Sequence, residues 1–177
     1  MESIKRLAPT TLAWRQPHTM QRSYELVSGE QIVGTLEFPS MVGSLARVVT
    51  GDGEWTFKRG GFMRPRITVR QSGSEHDIAT LHMSWRGGAE LECTDGPTFK
   101  WVHTSFWKSR WMFATDADEP LIHYSPDNGF LKPGALLEVD SAGRASPHLP
   151  MLAALGWYLM LLMSQDSAAA AAAASAG

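Results

Sequence analysis

The residues with the clearest capacity for chemistry form a basic cluster in the first half of the chain. Five cations fall within thirteen residues, and no acidic residue lies between Glu54 and Glu75. The five are Lys58, Arg59, Arg64, Arg66 and Arg70. Guanidinium groups bind phosphate and carboxylate oxygens through paired hydrogen bonds. The cluster therefore predicts a site for phosphate or another anion.

Alternation along a strand determines which of these cations can act together. If this segment is a β-strand, Arg66 and Arg70 point to one face, whereas Ile67 and Val69 point inward. Arg64 shares the outer face provided that the following proline leaves the register undisturbed. The predicted anion-binding residues on this outer wall are Lys58, Arg64, Arg66 and Arg70. The alternative is a solvated strand face whose arginines pair with acidic residues elsewhere.

Three histidines suggest a different kind of site. His82, His103 and His123 lie on separate predicted strands, and three imidazoles suit a zinc ion. The alternative is that they are independent, partly exposed strand residues. If the strands form a barrel with a pocket at its rim, a histidine site in that pocket would make the protein an enzyme or a small-ligand carrier.

The remaining chemical groups favour structural roles. Cys93 alternates with Glu92 on a predicted strand, and no basic group lies nearby in sequence to lower the pKa of its thiol. The acidic run at residues 116–119 offers oxygen ligands for a hard cation, but it also reads as a solvated turn. Nucleotide-binding loops, Cys-x-x-Cys pairs and a nucleophile elbow are absent from the sequence. We expect no cofactor and no metal.

Composition limits the class of protein. The 177 residues carry a formal net charge of −2, which argues against a protein that binds nucleic acid. The single cysteine excludes an internal disulfide, and the first residues lack the apolar run of a secretory signal. We therefore expect a cytoplasmic protein.

Short β-strands are the elements that must position these residues. Glycine and polar clusters recur at intervals of about 8–12 residues, which is typical of an all-β sandwich or barrel. Leu81, Met83 and Trp85 share one face of such a strand. Connections of hairpin length favour antiparallel neighbours. About twelve strands are predicted, near residues 12–16, 23–28, 31–37, 44–50, 54–59, 65–71, 77–85, 89–93, 98–104, 109–115, 120–124 and 135–140.

One segment near the end of the chain differs from all the others. Residues 151–163, MLAALGWYLMLLM, carry no charge and show no clear polar face. A helix that is apolar on all sides must be surrounded by protein. Thirteen residues are too few to span a membrane, which takes about 20. The alternative is a membrane anchor lengthened by the seven alanines that follow. We predict one domain, 1–166, that includes this central helix, and an Ala-rich tail, 167–177.

The length of the predicted helix matches the length of the predicted strands. Thirteen helical residues span about 20 Å, and a strand of six residues spans roughly 17–20 Å. Barrels of about eleven strands can enclose a central helix. We therefore predict an all-β fold, a closed barrel of about twelve mostly antiparallel strands around the buried C-terminal helix. Gly156 is expected at a close approach of the helix to the barrel wall.

Twelve strands followed by the apolar helix LPMLAALGWYLMLLM resemble the tubby C-terminal-like superfamily. This superfamily includes tubby proteins, phospholipid scramblases and the plant LURP-one-related proteins. The resemblance covers nearly the whole chain in layout and implies a barrel threaded by its last helix. In tubby proteins, phosphoinositide head groups bind outside the barrel. The acidic calcium-binding segment of scramblases is not matched, since Asp116 and Asp118 lie about thirty residues too early.

A helix that fills the barrel occupies the place where enzymes and carriers keep a pocket. We therefore expect a non-enzymatic binding or scaffold module that binds an anionic membrane surface or a phosphoinositide, alongside unknown protein partners. We do not expect an integral membrane protein. We expect a cytoplasmic protein that associates with membranes. The alternative is a small-ligand carrier or enzyme with a rim pocket.

Overall fold

The computed structural model describes residues 1–7, 11–61, 64–84, 87–105, 109–129 and 132–176. Within these ranges the chain is built mainly of strands, with three helices at its two ends. In chain order the elements are α1 (Ile4–Leu7), β1 (Leu12–Arg15), β2 (Ser23–Ser28), β3 (Gln31–Glu37), β4 (Ala46–Thr50), β5 (Gly53–Gly60), β6 (Arg66–Gln71), β7 (Asp77–Met83), β8 (Ala89–Cys93), β9 (Thr98–Ser105), β10 (Arg110–Thr115), β11 (Pro120–Gly129), β12 (Lys132–Val139), α2 (Ser141–Ala145) and α3 (Leu149–Ser175).

The twelve strands form one closed antiparallel barrel. Each strand pairs with its neighbours in sequence, and β1 pairs with β12 to close the sheet. Short hairpin connections impose this order, and closure removes the exposed sheet edges. The predicted closed barrel around a C-terminal helix is confirmed.

Helix α3 fills the interior of the barrel. From Leu149 to Leu162 every residue is buried except Met160, which is half-buried. The inward-facing residues of all the strands surround the helix, which explains why its sequence is apolar on every side. Beyond Met163 the helix continues without a break, and residues 164–175 are exposed. No helix within the described ranges is long and apolar enough to cross a membrane.

Two wall residues fix the position of α3. The Trp14 indole donates a hydrogen bond to the Ala153 carbonyl over 3.1 Å, and the Tyr124 hydroxyl donates one to the Leu152 carbonyl over 2.7 Å. A Cβ on Gly156 would collide with the Tyr124 ring. The predicted close approach at Gly156 is therefore confirmed, and β11 is the wall strand that it meets.

The sequence patterns do not predict α1 and α2, because helices of four and five residues show too little periodicity. Helix α1 lies at the end of the barrel where α3 begins. Ile4 is fully buried there, and its backbone N–H donates to the Asp52 carboxylate over 2.7 Å. Helix α2 packs on β11, where the missing side chain of Gly143 lets the helix backbone approach the Leu121 carbonyl.

The β11–β12 hairpin and the end of α3 differ from the prediction. Asp-Asn-Gly at residues 127–129 is a strong turn signal, yet the ladder continues until Gly129 pairs with Lys132. Continuous pairing with the neighbouring strands outweighs this local preference. The tail predicted at 167–177 begins inside α3, since alanine has the highest helix propensity. Trp85, predicted to share a face with Leu81 and Met83, lies outside the described residues.

The antiparallel order places alternate connections at the same end of the barrel. We call the end where α3 leaves the barrel the exit end. The described residues of its connections are 16–22, 38–45, 61, 64–65, 84, 87–88 and 109. The opposite end carries residues 29–30, 51–52, 72–76, 94–97 and 116–119.

Candidate functional site

The predicted anion-binding residues lie on and beside two neighbouring strands. Lys58 on β5 and Arg66 on β6 are exposed on the outer face, and Arg70 on β6 is half-buried on the same face. Arg64 is exposed in the connection between these strands. Because Ile67 and Val69 are buried, the predicted alternation of β6 is confirmed. We call Lys58, Arg64, Arg66 and Arg70 the basic wall.

The strand register determines the spacing of these cations. Lys58 pairs with Thr68, so it is a diagonal neighbour of both Arg66 and Arg70, at about 7–8 Å. Arg66 and Arg70 are four residues apart on one strand, or about 13 Å. A single phosphate can therefore contact Lys58 and one arginine, whereas the whole wall suits an extended anionic surface.

The cations of the basic wall differ in whether they are ion-paired. The Arg70 Nε lies 2.5 Å from an oxygen of the Asp77 carboxylate, so this arginine is already paired on the barrel surface. Within the described part of the chain, Lys58, Arg64 and Arg66 have no ion-pair partner. Three of the four predicted cations are therefore available to an external anion.

Arg47 is a neighbour of the basic wall that the sequence reasoning missed. It is exposed on β4 and pairs with Thr56, which makes it a diagonal neighbour of Lys58. On its other side Arg47 pairs with Glu37 on β3. Alternation in the segment ARVVT turns Arg47 outward, but only the pairing of β4 with β5 brings it beside Lys58.

The two ends of the barrel carry opposite charges in their connections. Among the residues that the structure describes, the connections of the exit end contain two cations, Arg22 and Arg64, and no acidic residue. Those of the opposite end contain neither lysine nor arginine, but they contain the acidic residues Glu30, Asp52, Glu75, Asp95, Asp116, Asp118 and Glu119. The charges of the connections alone favour an anion at the exit end, whereas Lys5 and Arg6 on α1 and Arg144 on α2 add positive charge at the opposite end.

Exposed apolar side chains also lie at the exit end. Met20, Met41 and Val42 are 87%, 73% and 81% exposed, and we call them the apolar tips. Arg22 holds their two connections together by donating hydrogen bonds to the carbonyls of Ser40, at 2.9 Å, and of Met41, at 3.3 Å. Grouped exposed apolar residues next to cations are a feature of interaction sites.

A cavity of about 560 Å³ opens at the exit end between the β5–β6 hairpin and α3. Its lining is mostly apolar and includes Ile67, Leu159 and Leu162. The charged side chains among its described lining residues are Arg59 and Asp166, which form an ion pair at 2.6 Å. The volume falls within the range of about 300–1,000 Å³ that is usual for ligand pockets.

A second cavity, of about 640 Å³, opens at the opposite end and includes Cys93 and His148 in its lining. Burial raises the pKa of the Cys93 thiol, which is the reverse of what a nucleophile needs. Burial, with a smaller contribution from Lys5, lowers the pKa of His148. The prediction of a structural Cys93 agrees with this environment.

The three candidate zinc ligands do not come together. His82 is exposed on the outer face of β7, and the His103 ring packs 4.6 Å from the Trp111 ring. The Nε2 of His123 lies 3.2 Å from the Asp140 carboxylate. No group of three metal-ligating side chains occurs in the ranges that the structure describes, so the three-histidine zinc hypothesis is wrong. None of the three lies among the described lining residues of these two cavities, but His82 lines a smaller cavity of about 350 Å³ beside β7, β8 and β9.

The acidic run at residues 116–119 forms a turn between β10 and β11. Asp118 has a φ of 63°, and its carboxylate accepts a hydrogen bond from the Lys100 ammonium over 2.7 Å. The run is therefore an exposed hairpin turn, and Asp118 is ion-paired to Lys100 on the neighbouring strand β9.

These features define the class of protein by its fold, an antiparallel twelve-stranded barrel filled by its own C-terminal helix. No protein-family model matches the sequence, and no curated protein matches it significantly. The fold is similar to an X-ray structure of a protein from Arabidopsis thaliana, with a TM-score of 0.51 and 13% sequence identity. The match covers 80% of this chain and 91% of that chain. At this identity the likeness concerns the fold alone.

Proposed function

We propose that the protein is a non-enzymatic module that binds anionic lipid surfaces in the cytoplasm through the basic wall and the apolar tips. We also propose that it is a tubby-like barrel of the LURP-one-related type. The similarity of fold to the Arabidopsis protein supports this affiliation. The barrel interior is occupied by α3, which favours binding at the outer surface over catalysis inside.

The observation that carries the proposal is the proximity of unpaired cations to exposed apolar side chains. The connection that bears Met41 and Val42 is tied to the end of β5, since the Ser44 hydroxyl donates to the Arg59 carbonyl over 3.1 Å. Arg64 follows in the next connection of the same end. An anionic bilayer offers phosphate oxygens to the cations and an apolar layer to the tips.

The expected strength of binding is modest. Each lysine or arginine near an anionic membrane surface contributes about 1 kcal/mol. Lys58, Arg64 and Arg66 together then contribute about 3 kcal/mol, to which partial burial of Met41 and Val42 adds. Binding should therefore be reversible and sensitive to salt, because exposed charges are screened within about 10 Å at ordinary ionic strength.

The exposed end of α3 indicates that the barrel docks on its side and not end-on to the bilayer. Residues 164–175 extend about 18 Å beyond the barrel at the exit end. Docking flat on this end would drive the exposed helix into the bilayer. Docking on the side of β4, β5 and β6 brings the basic wall and the apolar tips to the lipid while the helix passes alongside.

Flotation with vesicles tests the proposal. The purified protein is mixed with phosphatidylcholine vesicles that contain or lack phosphatidylserine or a phosphoinositide, at low and at high salt. We expect flotation only with anionic lipid and its loss at high salt. Arg66→Glu should weaken binding about fivefold or more. Arg144→Glu, which makes the same charge change on exposed α2 outside the basic wall, is the matched control.

Two outcomes would contradict the proposal. Absence of flotation with every lipid at low salt would exclude membrane binding by this chain. Equal weakening by Arg66→Glu and Arg144→Glu would mean that net charge, and not the basic wall, governs the association.

A further inference from the structure

We propose that the cavity at the exit end binds a free fatty acid of about eight to twelve carbons, with its alkyl chain between the adjoining ends of β5 and β6 and α3 and its carboxylate on Arg59. This proposal does not depend on the membrane contact, because it concerns a different set of residues and a ligand in solution.

The shape and lining of the cavity suit an alkyl chain. Leu159, Leu162 and Met163 form its wall on the α3 side, and Pro65 and Ile67 contribute on the β6 side. A chain that enters this space leaves water for an apolar lining, and each buried methylene then contributes to affinity. Since Arg59 supplies the cavity's only described positive group, the geometry favours one chain with one anionic head.

Arg59 already holds a carboxylate at the cavity. Its guanidinium lies 2.6 Å from an oxygen of Asp166, and the two side chains are 36% and 58% exposed. Exposed ion pairs of this kind are weak because water competes for both charges. A fatty-acid carboxylate can therefore take the place of the Asp166 carboxylate, with the same geometry at the guanidinium.

The main chain of Arg59 is held independently of its side chain. The Arg59 N–H donates to the hydroxyls of Tyr158, at 3.1 Å, and of Ser44, at 3.2 Å. The side chain can change partner without a change in β5. The unpaired cation Arg64 lies in the adjoining connection, so the local charge favours an anionic head over a cationic one.

Calorimetric titration of the full chain with octanoate, decanoate and dodecanoate, each below its micelle-forming concentration, tests the assignment. We expect the dissociation constant to fall about fourfold for each added methylene. The primary alcohols of the same lengths serve as neutral probes. Met163→Trp should block the cavity and abolish binding, and its thermal unfolding should remain that of a folded protein.

Two variants separate the role of the head group from that of the chain. Asp166→Asn removes the competing carboxylate and should tighten dodecanoate binding about twofold to fivefold, whereas Arg59→Gln should weaken it by a similar factor. Neither change should alter the binding of dodecanol. A tighter fatty-acid complex in Asp166→Asn is an outcome that a merely structural ion pair would not produce.

The proposal is overturned if affinity does not depend on chain length, if a folded Met163→Trp variant binds dodecanoate as before, or if Asp166→Asn leaves the affinity unchanged. The two proposed sites can be tested independently of each other. Arg66→Glu should weaken vesicle binding and leave dodecanoate binding intact, and Met163→Trp should do the converse.

Discussion

The ring of Tyr124 lies against Gly156 of α3 so closely that no side chain at residue 156 would fit. The Tyr124 hydroxyl donates to the carbonyl of Leu152, one helical turn earlier, over 2.7 Å. The wall strand β11 thus fixes both the depth and the rotation of the central helix. A glycine that lowers helix propensity is retained here because the contact requires it.

Gly156→Ala should destabilise the protein even though alanine favours helix. The gain in propensity is about 1 kcal/mol, but a methyl group forced against Tyr124 costs about 1–3 kcal/mol and strains the hydrogen bond to Leu152. Urea unfolding should show a net loss of stability. Ala170→Gly in the exposed part of α3 is the control for propensity alone. A more stable Gly156→Ala variant would contradict the packing of β11 against α3.

Stability should fall at alkaline pH. Burial raises the pKa of all three tyrosines, Tyr24, Tyr124 and Tyr158, and that of Tyr158 reaches about 12. A raised pKa in the folded state means that the neutral hydroxyl is favoured by folding. This contribution is complete below the ordinary value of 10.0 and is lost as the pH rises from 10.0 toward 12.

Thermal unfolding over this pH range, followed together with tyrosinate absorbance, measures the effect. We expect tyrosinate to appear with unfolding, and the fall in stability to be shallower in Tyr158→Phe. Titration of all three tyrosines near pH 10 in the folded protein would show that they are accessible to water, contrary to their burial.

Arg66 and Arg70 should respond differently to charge reversal. Arg70 is held by Asp77, whereas Arg66 has no ion-pair partner within the described residues. We expect Arg66→Glu to weaken binding to anionic vesicles more than Arg70→Glu does, by about threefold to fivefold. Arg66→Glu should stay within about 0.5 kcal/mol of the original stability, as is usual for surface changes, whereas Arg70→Glu breaks the pair with Asp77 and should cost about 1 kcal/mol. Equal losses of binding would mean that the Asp77 pair leaves Arg70 free to reach the lipid.

Removal of the residues after Asp166 should leave the fold unchanged. The side chains of residues 167–176 are exposed. The free energy of unfolding should change by less than about 0.5 kcal/mol, while the helical signal in circular dichroism decreases. The Arg59–Asp166 pair is retained in this variant. A large loss of stability would mean that the predicted boundary of the domain at residue 166 is wrong.

Much of the fold could be predicted from the sequence because it depends on local patterns. Alternation of apolar and polar residues marks strands, as in β6, where Ile67 and Val69 face the core. An apolar block with no polar face, too short for a membrane, indicates a helix enclosed by protein. Together these patterns determined the barrel, its central helix and the outward orientation of Arg66.

The arrangement of the surface was decided only by the tertiary structure. Pairing of β4 with β5 brings Arg47 beside Lys58, and the order of the strands puts Asp77 within reach of Arg70. Closure of the barrel gathers alternate connections at the exit end and sets Asp166 against Arg59 across 107 positions of sequence. A local sequence pattern determines which face of its own strand a side chain lies on. Which distant charges become neighbours depends on register and closure, and these follow from packing of the whole chain.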